Sequence, residues 1–231
     1  MSIALITGAS KGFGRALATA LAERGWTLII DARGRDALLE TARDLAPARV
    51  VAVTGDVTHP THRRALIGAA EAQGGLDLLV NNAGYLGPSP QPPLVAYPSA
   101  ELARVYEIGV FAPLALTQEA FPLLSASSGA IVNITSDAAV EPYEGWGGYG
   151  SAKAALDQVT AVLAREHPEL PIYAFDPGDM RTEMHQRAYP GEDISDRPEP
   201  STVVPALLRL LEDRPPSGRY RASDLLARLS G

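Results

Sequence analysis

Ile3-Ala4-Leu5-Ile6-Thr7-Gly8-Ala9-Ser10-Lys11-Gly12-Phe13-Gly14 decides the fold. A short apolar run enters a glycine-rich turn, and Leu17, Ala20 and Leu21 follow at once with helical spacing. Strand, glycine loop and helix, in that order, open a dinucleotide-binding α/β unit. Gly8 suits the tight turn, Gly12 the approach of backbone to a pyrophosphate, and Gly14 the packing of helix on strand. The diphosphate is expected at the helix N-terminus. A GxxxxGK[ST] phosphate loop is not matched, because Lys11 precedes Gly12 instead of following the last glycine, and ATPase readings drop away.

The same alternation runs outward from this unit. Thr27 to Ile30 precedes Asp36 to Leu45, Val50 to Val53 precedes Thr61 to Gln73, and Leu76 to Val80 precedes the long stretch Ser99 to Ser125. Ala130 to Ile134, Tyr149 to His167 and Ile172 to Phe175 continue it, Ser201 to Leu211 reads as a last helix, and Gly218 to Tyr220 as an edge strand. The period predicts an α/β fold, a doubly wound parallel sheet with helices on both faces in three layers, α/β/α, binding ligands at its carboxyl ends. Two segments break the rhythm and read as mobile loops: Gly84 to Pro93, and Asp179 to Pro200, a substrate-binding lid.

With 231 residues and 46% hydrophobic side chains, one domain spanning 1–231 is expected. The formal charge of −7 and a pI near 5.1 argue against nucleic-acid and anionic-membrane partners and for a small-molecule role. There is no cysteine, which excludes disulfides and a thiol nucleophile. His59 and His62 lie three apart without an obvious third ligand, so no metal site is expected. No uninterrupted apolar run approaches the roughly 18 residues of a membrane span, and Met1 to Ile6 is too short for a signal peptide, so the cytoplasm is the expected address.

The chain keeps only two lysines among its twenty basic residues, and Lys153 lies four positions after Tyr149. On a helix that spacing puts phenol and ammonium on one face, where the charge is expected to stabilise a phenolate. At the end of the second strand the chain reads Ile30-Asp31-Ala32-Arg33. Offset from the glycine loop places Ala32 where an acidic ribose acceptor would stand and Arg33 just after it. With Lys11 approaching from the loop, this favours NADP(H). In the competing register Asp31 accepts the ribose hydroxyls and the cofactor is NAD(H).

Together these motifs resemble the short-chain dehydrogenase/reductase family over essentially residues 2 to 220. Thr7 to Gly14 matches its TGxxxGxG loop, Gly55-Asp56-Val57 the segment that contacts the adenine, and Asn81-Asn82-Ala83-Gly84 its NNAG motif. Ser136 precedes Tyr149 by the family's spacing, and Pro177-Gly178 with Thr182 resembles the segment over the nicotinamide. The resemblance implies a Rossmann-like fold and hydride transfer between nicotinamide and a carbonyl or secondary alcohol. It makes Tyr149 the general acid/base, Ser136 a hydrogen-bond partner of the reacting oxygen, and Lys153 the holder of the ribose. Gly8, Ser10, Lys11, Gly12, Phe13, Gly14, Arg33, Asp56, Val57, Asn82, Ala83, Gly84, Tyr149, Lys153, Pro177, Gly178 and Thr182 then surround the cofactor. Simpler roles stay open: Ser136 as a turn hydroxyl, Asn82 as a turn stabiliser, Asp56 as a helix N-cap, Thr182 as a bystander.

One position departs from the family. In Tyr106-Glu107-Ile108-Gly109-Val110-Phe111-Ala112-Pro113, Gly109 stands where the family has a catalytic asparagine that supports a helix kink and a relay water. This motivates a second reading, a catalytically impaired nucleotide-binding regulatory protein; a third is a nucleotide-sugar epimerase or dehydratase with tightly held NAD. Tyr85, Leu86, Asp137 to Trp146 and Met180 to Pro200 are expected to bound the pocket, with Tyr143 and Trp146 as aromatic walls. The resemblance also implies a homodimer or homotetramer paired through the helices of Gly109 and Tyr149.

Overall fold

The computed structural model describes residues 2–228. Apart from the edge strand Gly218–Arg221, its strands are near-continuous apolar runs whose alternate residues feed two separate cores, as a parallel sheet covered on both faces requires. In β1 (Ile3–Ile6), Ala4 and Ile6 join one core while Ile3 and Leu5 join the other. β2 (Thr27–Ala32) divides Leu28 and Ile30 from Ile29 in the same way.

The remaining strands are β3 (Val50–Thr54), β4 (Leu78–Asn81), β5 (Ala130–Ile134), β6 (Ile172–Asp176) and β7 (Gly218–Arg221). All pair in parallel in the order β3-β2-β1-β4-β5-β6-β7, with Leu5 opposite Ile29 and Leu79, and Asn81 opposite Asn133. The chain winds outward from β1 to β3 and returns to β4, so the switch point lies between β1 and β4. The ligand crevice is therefore expected outside Thr7 and Asn82.

The first core takes α1 (Gly12–Glu23), α2 (Arg35–Asp44) and α8 (Pro200–Asp213) through Leu17, Leu38 and Leu207. The second takes α3 (Pro60–Gln73) and α5 (Ala112–Ser127) through Leu66 and Leu116. α6 (Gly147–Glu166) carries the Tyr149 motif, α7 (Glu183–Ala188) lies inside the segment expected to be a loop, and α9 (Ala222–Ala227) follows β7. The helices read from the sequence agree within a few residues, whereas α7 and α9 are too short for a periodic signal.

The long stretch after β4 holds a feature with a clear cause. α4 (Ser99–Tyr106) passes through a π-turn, Glu107–Phe111, into α5. Pro113 donates no N–H, and its ring excludes the carbonyl four residues back, which belongs to Gly109, so the turn widens there. Ser99–Ser127 is also long and apolar enough to cross a membrane by length and composition alone, a property that scattered polar residues hide from a search for an unbroken run. Half of its most apolar window is buried inside the protein, which accounts for its composition.

Candidate active site

The glycine loop and the NNAG segment fold as one piece. The Thr7 hydroxyl accepts the backbone N–H of Asn82 and of Ala83, both at 2.9 Å. The Asn82 amide donates back to the carbonyls of Thr7 at 2.8 Å and Gly8 at 3.1 Å. The turn role of Asn82 is therefore real, and Ala83 and Gly84 are left along the crevice. A Cβ at Gly14 would stand 2.4 Å from the Asn82 amide and 2.7 Å from the Gly8 carbonyl, so only glycine fits. The Phe13 ring stacks on Phe175, 5.9 Å between centroids, inside the core, leaving only its backbone for a ligand. Gly12, Phe13 and Gly14 begin α1, and their N–H groups are the unpaired donors of a helix start.

Asp31 is withdrawn into the fold. Its carboxylate accepts the Gly8 N–H at 2.8 Å and meets His62 Nε2 at 2.9 Å, with both side chains buried. Burial raises its pKa above the ordinary carboxylate value, with His62 and Gly8 offsetting part of the rise. Both carboxylate oxygens are thus engaged inside the protein, which weighs against the register in which Asp31 meets ribose hydroxyls. The exposed residue at the exit of β2 is Arg33.

Asp56 is not the N-cap of α3, a place taken by His59. It closes a turn on the Thr58 N–H at 3.0 Å and hydroxyl at 2.8 Å. Burial pushes its pKa up, but the Thr58 hydrogen bonds and the Arg33 and His59 charges outweigh that and hold it low. Arg63, not anticipated from the sequence, anchors this loop by donating to the carbonyls of Val57 at 2.9 Å and Thr58 at 3.0 Å.

At the opposite end α6 starts Gly147-Gly148-Tyr149-Gly150. A Cβ at Gly150 would lie 2.6 Å from the Ala138 carbonyl, so its absence lets the turn after Ser136 press against the helix beside Tyr149. Ser136 caps that turn, accepting the Ala138 N–H at 3.2 Å and donating to Asp137 at 2.9 Å. Asp137 also accepts the Tyr143 hydroxyl at 2.9 Å. Trp146 stands edge-on to Tyr149 at 5.9 Å and contacts Tyr143 at 6.3 Å and Tyr189 at 6.0 Å. An aromatic wall therefore borders the phenol; Tyr189 was not foreseen. Tyr85 is held by Glu101 at 2.6 Å, with Arg104 over its ring.

Lys153 is buried, donates to the Ile134 carbonyl at 2.6 Å and lies 5.5 Å from the Tyr149 ring centroid. Burial lowers its pKa from 10.5 to about 8, with the Asp157 charge opposing. Without a nicotinamide's positive charge beside it, burial and then Asp176 and Asp137 raise the pKa of the half-buried Tyr149 phenol above its ordinary value.

The Lys153 shift sets a pH signature. Between pH 8 and 10.5 the folded side chain sheds its proton while the unfolded one keeps it, so stability rises with pH in that window. The full shift corresponds to about 3 kcal/mol. In chemical denaturation from pH 7.5 to 10.5, this rise is expected in the wild type and is expected to be missing from Lys153→Met.

The segment 179–200 is fastened by several contacts. Thr182 caps α7 by accepting the His185 N–H at 3.1 Å, and its methyl group faces the open side of Gly12. Lys11 pairs with Glu183 at 2.6 Å across the loop mouth, both side chains exposed. Arg181 pairs with Glu199, and Ser89 donates to the Arg187 carbonyl at 2.6 Å, which joins the two segments read as loops. Gly178 lies at φ +74°, its N–H on Asp176 at 3.0 Å, and Pro177 is buried beside it.

A glycine-lined crevice at the switch point, leading to a phenol, a hydroxyl and a buried ammonium, defines a dinucleotide-binding oxidoreductase of the α/β class. The family described as short chain dehydrogenase matches residues 2–193. A sepiapterin reductase from Meriones unguiculatus is 35% identical over 202 residues, 81% of this chain and 77% of that protein. An alcohol dehydrogenase from Thermococcus sibiricus, solved with 5-hydroxy-NADP, superposes with a TM-score of 0.86 at 26% identity over 96% of this chain and 95% of that one. A Shigella flexneri chain solved with NADP gives a TM-score of 0.86 at 28% identity, covering 96% and 97%. The chain belongs to the short-chain dehydrogenase/reductase family and is built to bind a nicotinamide cofactor.

Proposed function

We propose that the protein is an NADP(H)-dependent oxidoreductase that moves a hydride between the nicotinamide and a carbonyl or secondary alcohol carbon, with Tyr149 as general acid/base. The observation that carries it is the convergence of Ser136, Tyr149 and Lys153 at the carboxyl end of β5, around a helix start that only glycine at 150 allows. The N-terminus of α1 would hold the diphosphate, Asp56 and Val57 the adenosine, Lys153 the ribose, and Pro177, Gly178 and Thr182 the nicotinamide side. The bound nicotinamide supplies or accepts the hydride. Tyr149 keeps its proton at neutral pH and gives it to the carbonyl oxygen during reduction, while Ser136 hydrogen-bonds that oxygen.

Exposed Arg33 beside Ala32, with Lys11 on the loop, favours the 2′-phosphate of NADP(H). The Michaelis constant for NADPH is expected to be at least about tenfold below that for NADH, on the scale of one charge-assisted contact; a preference for NADH would overturn the cofactor assignment. The substrate is a small carbonyl compound able to lie against Trp146, Tyr143 and Tyr189, and sepiapterin, named for several relatives, is the first one to test. Exposed Phe111 in the π-turn and Val162 on α6 fit the expected homodimer or homotetramer.

Gly109 favours the second reading, an impaired nucleotide-binding protein. A Cβ there would meet the Ala152 Cβ at 3.6 Å, ordinary contact, so a side chain can branch from this position and Gly109→Asn is the variant to test. Its kcat is expected to stay within about twofold of wild type, since the π-turn already supplies the kink. A tenfold rise at constant KM would favour the impaired reading.

A further inference from the structure

Four charged residues that the mechanism above does not use converge behind the catalytic triad. Asp157 follows Lys153 by one helical turn on α6, and Asp176 ends β6 just before Pro177. Arg219 rises from the edge strand β7 between them. Its Nε meets Asp157 at 3.0 Å, and its NH2 group donates to Asp176 at 2.8 Å and to the backbone carbonyl of Ser136 at 3.0 Å. Arg221 adds a looser contact to Asp176 at 3.7 Å. The other Asp176 oxygen accepts the Gly178 N–H. One planar guanidinium thus touches the serine turn, the tyrosine-lysine helix and the residue that fixes the Pro177-Gly178 turn.

We propose that Arg219 is the positioning residue of this active site, holding the Ser136 turn, the Tyr149–Lys153 helix and the Pro177-Gly178 turn in one register. The inference rests on the oxidoreductase reading given above. The pairing has a geometric reason to matter, since a displacement of about 1 Å between reacting groups costs on the order of a hundredfold in rate. A lysine could neutralise the carboxylates but could not span three acceptors in one plane.

Charge gives the residue a second effect. The groups facing Tyr149 are Asp137 from the turn after β5, Asp176 from β6 and Lys153 from its own helix, and Asp157 faces Lys153. Both carboxylates behind the site are neutralised chiefly by Arg219. Its removal leaves Asp176 with only the looser Arg221 contact and makes the phenolate harder to form.

The test compares wild type, Arg219→Gln and Arg219→Lys. In Arg219→Gln, kcat for NADPH-dependent carbonyl reduction is expected to fall at least thirtyfold with the NADPH Kd within threefold. The rising alkaline limb of alcohol oxidation is expected to move up by at least half a pH unit. Arg219→Lys should restore the limb but not kcat, because it returns the charge without the fork. Hydrogen exchange over residues 136–139 and 176–180 should speed up in Arg219→Gln while β1 to β3 stay protected.

A folded Arg219→Gln with wild-type kcat, pH limb and exchange would overturn the proposal, leaving Arg219 a brace for the sheet edge. If Arg219→Gln does not fold, Asp157→Asn removes one anchor of three and should lower kcat about three- to tenfold at unchanged NADPH Kd; no loss there would also overturn it. Failure of the wild type to reduce any carbonyl would instead sink the functional reading, and the exchange data would still decide whether Arg219 holds the three segments.

Discussion

Tyr149→Phe is expected to lower kcat for NADPH-dependent carbonyl reduction at least about a thousandfold, within the range that a lost general acid gives. The loss has one source, the proton donor, because the phenylalanine ring keeps the edge-on packing against Trp146 that seats this side chain. Cofactor binding should be nearly unchanged: Lys153 stays anchored on the Ile134 carbonyl, and the glycine loop is held from the Thr7 and Asn82 side. Measured by NADPH oxidation and by NADPH fluorescence titration, the variant should show collapsed turnover with a Kd within threefold of wild type. Residual turnover within tenfold would mean that another group, or water, delivers the proton.

The second large effect is expected at the far end of the crevice. Gly14→Ala introduces a methyl group 2.4 Å from the Asn82 amide and 2.7 Å from the Gly8 carbonyl. Neither neighbour can withdraw cheaply, since the carbonyl is backbone and the amide is tied to the carbonyls of Thr7 and Gly8. Overpacking of this kind costs about 1–3 kcal/mol, which lowers Tm by several degrees in a chain of this size. The same displacement shifts the N–H groups at the start of α1, so the NADPH Kd is expected to rise at least about thirtyfold, or roughly 2 kcal/mol. Gly68 in α3 has nothing within 4 Å of its Cβ position, so Gly68→Ala is the matched control and should leave both quantities intact. Equal behaviour of the two variants would show that Gly14 is not a packing requirement.

Much of this site could be read before any coordinates, for physical reasons. Gly8 and Gly14 are legible because backbone contacts admit no alternative residue, and Tyr149 with Lys153 because helical spacing fixes their common face. The strands were legible because each buried run feeds two cores. The same helical rule applied once more would have found Asp157, four residues after Lys153. Arg219 carries no local signal, since its partners lie 43 to 83 residues away and only the sheet order brings them together. The burial of Asp31 was not legible either: a short chain segment names the aspartate but does not say that His62 from α3 meets it from below.

The most direct measurement is hydride tracing. The purified protein is incubated with NADPH deuterated at the transferable C4 position and a panel of carbonyl compounds that includes sepiapterin, and the alcohols formed are analysed by mass spectrometry. Deuterium at the carbinol carbon, formed by wild type and not by Tyr149→Phe, is the predicted result. Tight NADPH binding without deuterium transfer to any carbonyl, and without NADP reduction by the corresponding alcohols, would contradict it.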